Sequence, residues 1–193
     1  MLLIVACGPS ANLKPKTPKK TVNNPTFNLI LEASFGGPER ELIIDSFKEW
    51  ERDTGGVVKF TVAKYAFDPS LEELPDASEK CTYDVYVLRI NSTDATVKKL
   101  DKRENAKVLG FTSSNCEKRI VALVTDRLKD AKMFRQVTVH EAGHLVGLDH
   151  IPVPKESIMF PSVDKATTCP TELDMKQLCM LYECDWHDTK TCS

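Results

Sequence analysis

The chain has no run of roughly 18 apolar residues, so nothing in it reads as a membrane-spanning helix. It has no excess of either charge, since 26 Lys and Arg stand against 28 Asp and Glu for a net charge of −2. That balance excludes the basic footprint of a nucleic-acid binder and the polybasic face of a membrane-surface protein. Internal repeats and low-complexity tracts are missing, and histidine is scarce, at four in 193 residues. What remains is the composition of one soluble domain: 41% hydrophobic, 28% charged, mean hydropathy −0.28. Cysteine is the exception. Seven cysteines point to an oxidising, extracytoplasmic compartment, and the odd number leaves at least one without an internal partner.

The N-terminus offers a home for that odd cysteine. Residues 1–7 form an apolar run ending in a small residue and then Cys7. The run resembles the end of a bacterial lipoprotein signal, which implies lipidation of Cys7 and anchoring at a bacterial envelope. The alternative is a short buried strand, with the protein then simply secreted. Setting Cys7 aside leaves six cysteines, an even number. Residues 8–26 carry Pro9, Pro15, Pro18 and Pro25 beside Lys14, Lys16, Lys19 and Lys20. Missing backbone donors and like-charge repulsion make this stretch an extended tether. The folded region is then expected over residues 27–193.

Strands and helices alternate through that region. Residues 27–33 read as a buried strand. A helix opens at Pro38, repeats Ile43, Phe47 and Trp50 on one face, and ends near Gly55 and Gly56. Residues 57–63 alternate as a strand, 64–80 as a loop, and 82–90 form a more apolar and more central strand. A short edge strand is expected at 107–112, with a turn over 113–117 and a buried strand at 119–125. Long helices are expected at 126–148 and 171–183. This alternation predicts an α/β sheet layered with helices.

Three of the four histidines fall in one window, His140-Glu141-Ala142-Gly143-His144-Leu145-Val146-Gly147-Leu148-Asp149-His150. On a helix, His140 and His144 project one turn apart from the same face, so both imidazoles reach one ion. Gly147 can take the left-handed conformation that ends a helix and returns the chain, which brings His150 to the same ion. Three imidazole nitrogens with a fourth position open are a catalytic zinc site. Glu141, rotated about 100° from His140, stays off the metal yet near a zinc-bound water. It would act as general base in peptide-bond hydrolysis. The alternative for each histidine taken alone is a hydrogen-bonded core residue.

The window resembles the metzincin signature H-E-x-x-H-x-x-G-x-x-H at every fixed position. Ser157-Ile158-Met159-Phe160-Pro161 is similar to the Met-turn that places a methionine, here Met159, beneath the zinc. Among metzincins the likeness is to matrixins, through Leu148-Asp149-His150 and a C-terminal run Asp174-Met175-Lys176-Gln177-Leu178-Cys179-Met180-Leu181-Tyr182. Ile151 departs from the Glu that follows the third histidine in astacins and from the Asp common in adamalysins. Leu173 stands where matrixins often carry a second acidic residue of a salt link. No Pro-Arg-Cys-Gly latency segment is present. Pro161 replaces the tyrosine found two residues after the methionine in astacins and serralysins.

The resemblance implies a mostly parallel twisted sheet with an antiparallel edge strand, a long active-site helix and a small C-terminal helical subdomain. It implies a peptide or protein substrate paired along the edge strand, for which Leu109 and Gly110 are candidates. Pro161 and Val163 are candidates for the wall of the pocket after the cleaved bond, their alternative being an ordinary loop. One zinc ion is expected. No acidic, glycine-rich loop precedes the active-site helix, so calcium is left open. A monomer is expected, with no nucleic-acid partner. Cys81 opens one expected strand and Cys116 precedes another, and the two are a candidate bridge. Cys169, Cys179, Cys184 and Cys192 would tie the last helix to its flanks, with a second zinc site as the alternative. A silent zinc-containing module that binds peptides without cleaving them is the competing function.

Overall fold

The computed structural model describes residues 24–71, 73–74, 83–114, 119–163 and 167–184. Cys7, Cys81, Cys116 and Cys192 lie outside them, as does most of the expected tether. Five strands form one sheet: β1 (Thr26–Leu31), β2 (Lys59–Val62), β3 (Asp84–Ile90), β4 (Gly110–Ser114) and β5 (Arg119–Val124). Their order is β2-β1-β3-β5-β4. All neighbours run parallel except β4, which pairs antiparallel to β5 with Gly110 opposite Leu123 and Ser114 opposite Arg119. The mostly parallel sheet with an antiparallel edge strand is therefore present. Pro25, in the expected tether, is buried, and its carbonyl accepts from Lys59 N–H.

Helix α1 (Gly37–Asp53) starts at Gly36, whose N–H donates to the Glu39 carboxylate at 2.9 Å, with Pro38 in the first turn. It buries Ile43, Phe47 and Trp50, and it ends where Gly55 and Gly56 turn with φ of 60° and 83°. Helix α2 (Ala95–Glu104) was not expected. Its ten residues bury only Val97, and Asp94 caps it by accepting from Thr96 N–H.

Helix α3 (Ala131–Leu145) begins later than the expected residue 126. Thr125–Arg127 form a single 3₁₀ turn instead, and Asp130 caps α3 by accepting from Met133 N–H at 2.8 Å. It is buried from Phe134 onward apart from Arg135, which is only partly covered. Arg135 reaches across to Asp45 and Glu49 of α1. The Trp50 indole N–H donates to the Val139 carbonyl at 2.9 Å, and these contacts fix α1 against α3 on one face of the sheet. Helix α4 (Glu172–Tyr182) closes the C-terminal part, where Cys179 and Cys184 form a disulfide across its last turn. Cys169 is disulfide-bonded as well. These three cysteines are therefore not free thiolates for a second zinc. Among the described residues, no helix is long and apolar enough to cross a membrane.

Candidate metal centre

Helix α3 carries His140 and His144 on one face, and the chain reverses at Gly147 with φ of 100°. Leu148 N–H donates back to the Gly143 carbonyl and Gly147 N–H to that of His144, which closes the helix and turns His150 inward. His144 Nε2 lies 3.0 Å from His140 Nε2, which lies 3.2 Å from His150 Nε2. One donor atom from each ring falls within a common 4.8 Å span.

Two of the rings are held from behind by main-chain carbonyls. His140 Nδ1–H donates to Ile158 O at 2.6 Å, and His144 Nδ1–H donates to Leu148 O at 2.7 Å. With the proton on Nδ1, each Nε2 turns a bare lone pair into the centre. His140 and His144 thus bring two acceptors to 3.0 Å with no hydrogen to share, an arrangement that a cation resolves. A tetrahedral zinc ion with bonds of about 2.0–2.1 Å sets its nitrogens about 3.3 Å apart, close to the spacing found. Burial and the neighbouring imidazoles push His140 well below its ordinary 6.5. Burial, then His150, lowers His144 to about 3, and burial lowers His150. All three rings are therefore neutral at physiological pH, the form that binds metal. The residues fit zinc.

Glu141 follows His140 and is fully buried. Its Oε2 accepts the Thr112 hydroxyl at 2.7 Å, while Oε1 is buried with no hydrogen-bond partner among the described residues. Burial raises its pKa to about 8 against the lowering effect of Thr112.

The Ser157–Phe160 turn lies beneath. Ile158 supplies the carbonyl for His140, and Met159 is wholly buried with its sulfur under Gly143. A Cβ on Gly143 would stand 2.3 Å from Met159 Sδ and 2.9 Å from Trp50 Cζ2, so only glycine fits there. Asp174 of α4, fully buried, anchors the turn. It accepts from the Ser157 hydroxyl at 2.5 Å, from Ile158 N–H at 3.1 Å and from Thr171 N–H at 2.7 Å. Sequence reasoning missed Thr112, Gly143 and the part played by Asp174. The i, i+2 pair Gly110 and Thr112 was the legible clue for the first. The capping pattern Thr171-x-x-Asp174 was the clue for the last.

The substrate-side expectations divide. Leu109 is fully buried in the core, and its carbonyl is turned to β5, where it accepts from Val124 N–H. Because Leu109 and Val124 form a hydrogen-bonded pair, the alternation of an antiparallel ladder turns the main chain of Gly110, Thr112 and Ser114 to the outer side of β4. No strand covers that side among the described residues. Pro161 is half-buried, and Val163 packs against the core.

The fold and this centre define a zincin-type metallopeptidase, and comparison with known proteins places it further. The family model described as matrixin (peptidase M10) matches residues 32–183. The chain belongs to the matrixin family. No curated protein matches it. A solved structure of myroilysin is similar over 84% of this chain and 95% of that one, at 10% identity and a TM-score of 0.51. High choriolytic enzyme 1, a hatching-enzyme zinc protease from the medaka fish Oryzias latipes, is similar over 83% and 90% at 12% identity and 0.48. Archaemetzincin from Methanopyrus kandleri is similar over 86% and 98% at 14% identity and 0.48. At that identity the myroilysin likeness shows a shared fold.

Proposed function

We propose that the protein is a zinc endopeptidase of matrixin type in which His140, His144 and His150 hold one catalytic ion and Glu141 is the general base. The observation that carries this reading is the convergence of three neutral imidazole Nε2 atoms, two of them on buried rings fixed by Nδ1–H bonds to carbonyls. Zinc bound there supplies a Lewis acid for the scissile carbonyl and the positive charge that acidifies water and favours ionised Glu141. Glu141 takes the proton of the attacking water at Oε1, the oxygen left without a partner, and returns it to the leaving nitrogen. The buried surroundings keep bulk water from competing for that proton.

The peptide lies along the outer side of β4 and bonds to the main chain of Gly110, Thr112 and Ser114, with Pro161 and Val163 walling the pocket past the cleaved bond. The enzyme works outside the cytoplasm as a monomer, secreted or lipid-anchored through Cys7. The Cys179–Cys184 disulfide supports an oxidising compartment. Casein or peptide-library cleavage tests the reading. Cleavage should stop with a chelator and return with zinc, and Glu141→Ala should abolish it while zinc stays near one per chain. Cleavage that persists in Glu141→Ala would contradict it.

A further inference from the structure

Glu141 reaches its position through β4. Gly110 and Thr112 lie two apart on that strand, so both face α3. The Thr112 hydroxyl stands 2.7 Å from Glu141 Oε2 and 3.0 Å from the Glu141 carbonyl. It has one proton, and the shorter contact to the carboxylate takes it. At Gly110 the strand leaves a gap. A Cβ there would lie 3.0 Å from Val137 Cγ1 and 3.1 Å from both Cγ and Oε1 of Glu141, tighter than ordinary packing. One residue thus pins Oε2, and the other makes room for Cγ and Oε1.

We propose that Thr112 and Gly110 form a cradle on β4 that positions the Glu141 carboxylate, with Thr112 fixing Oε2 so that Oε1 alone is presented to the reaction. This inference rests on the reading of Glu141 as general base. It makes the strand that would bind the peptide main chain the same strand that aims the base. Substrate register and base position are then set by one rigid element, the placement that proximity effects require. Thr112 is a positioning residue: it reaches the reaction only through Glu141.

The test uses zinc-loaded full-length enzyme and its Thr112→Val, Thr112→Ser, Gly110→Ala and Glu141→Ala variants, with steady-state kinetics on a reporter peptide and zinc analysis of each. Valine keeps the shape and removes the donor. Thr112→Val should lower kcat about tenfold or more, the cost of a lost positioning bond, with KM within about twofold and zinc still at one per chain. Thr112→Ser should restore most of kcat. Gly110→Ala should lower kcat with zinc retained.

A second readout needs no activity. In metal-free protein, Thr112→Val should lower Tm by about 2–4 °C, as expected for one net hydrogen bond in a chain of this length. The shift should shrink by at least half in the Glu141→Ala background. An unchanged kcat in Thr112→Val would overturn the proposal. So would a Thr112→Ser as impaired as Thr112→Val, loss of zinc on valine substitution, or equal Tm shifts in both backgrounds. If Glu141→Ala keeps wild-type kcat, the general-base reading fails first, which separates that failure from failure of the cradle.

Discussion

The two halves of the centre are held in place by different means. At the metal half, His140 and His144 are oriented by the carbonyls of Ile158 and Leu148, groups that no substitution removes. At the base half, Glu141 is oriented by the Thr112 hydroxyl and by the gap at Gly110, both of which depend on residue identity. Metal retention should therefore tolerate substitution at the base half, and rate should not. The second means of control is the more fragile.

The sharpest way to split the halves is Glu141→Gln. It keeps the shape of the base, and zinc content should hold while kcat falls by about 10²–10⁴-fold, the range of a lost general base. Zinc lost along with activity would show that the halves are not separable.

Next is the support beneath the metal half. Asp174→Ala strips the acceptor from Ser157, Ile158 and Thr171 and leaves buried donors unpaired. It should cost about 3 kcal/mol in denaturant unfolding and weaken zinc binding through the displaced Ile158 carbonyl. A stability cost with unchanged zinc affinity would uncouple the turn from His140.

The halves should also respond oppositely to pH in metal-free protein. His144 is lowered to about 3, so the fold keeps it neutral while the unfolded chain protonates near 6.5. The unfolded state binds more protons, and stability falls as pH drops below 6.5, by about 2 kcal/mol at pH 5 from this residue. Glu141 is raised to about 8, so the fold keeps its proton while the unfolded chain releases it near 4.5. Its contribution is full below 4.5 and is lost as pH rises toward 8. Urea melts across pH 4.5–8 should show the acid-side loss diminish in His144→Gln and the alkaline-side loss diminish in Glu141→Gln.

The smallest effect should come from Trp50→Phe. It removes the indole bond to Val139 O and should cost about 1 kcal/mol while cleavage and zinc stay as in wild type.

The metal half was the more legible in sequence, because helix pitch and one glycine fix three histidines locally. The base half was not. Thr112 meets Glu141 only because β4 pairs back onto β5, a contact 29 residues apart in sequence. The Thr-Ser-Ser end of β4 lacks the apolar alternation that marks a strand, which is why its expected span was shifted from 110–114 to 107–112. The same shift made Leu109 a candidate for main-chain pairing with substrate, although its carbonyl accepts from Val124 N–H. Helix α2 is not legible in sequence because its one buried residue, Val97, gives no periodic stripe. Helix α3 was drawn too long because Leu128 extended its apolar side past the Asp130 cap.

Zinc K-edge X-ray absorption on the native protein tests the central claim most directly. The account predicts about three imidazole nitrogens with one further light atom at about 2.0–2.1 Å and no sulfur. A sulfur shell near 2.3 Å, or the absence of the multiple-scattering signature of about three imidazole rings, would contradict it.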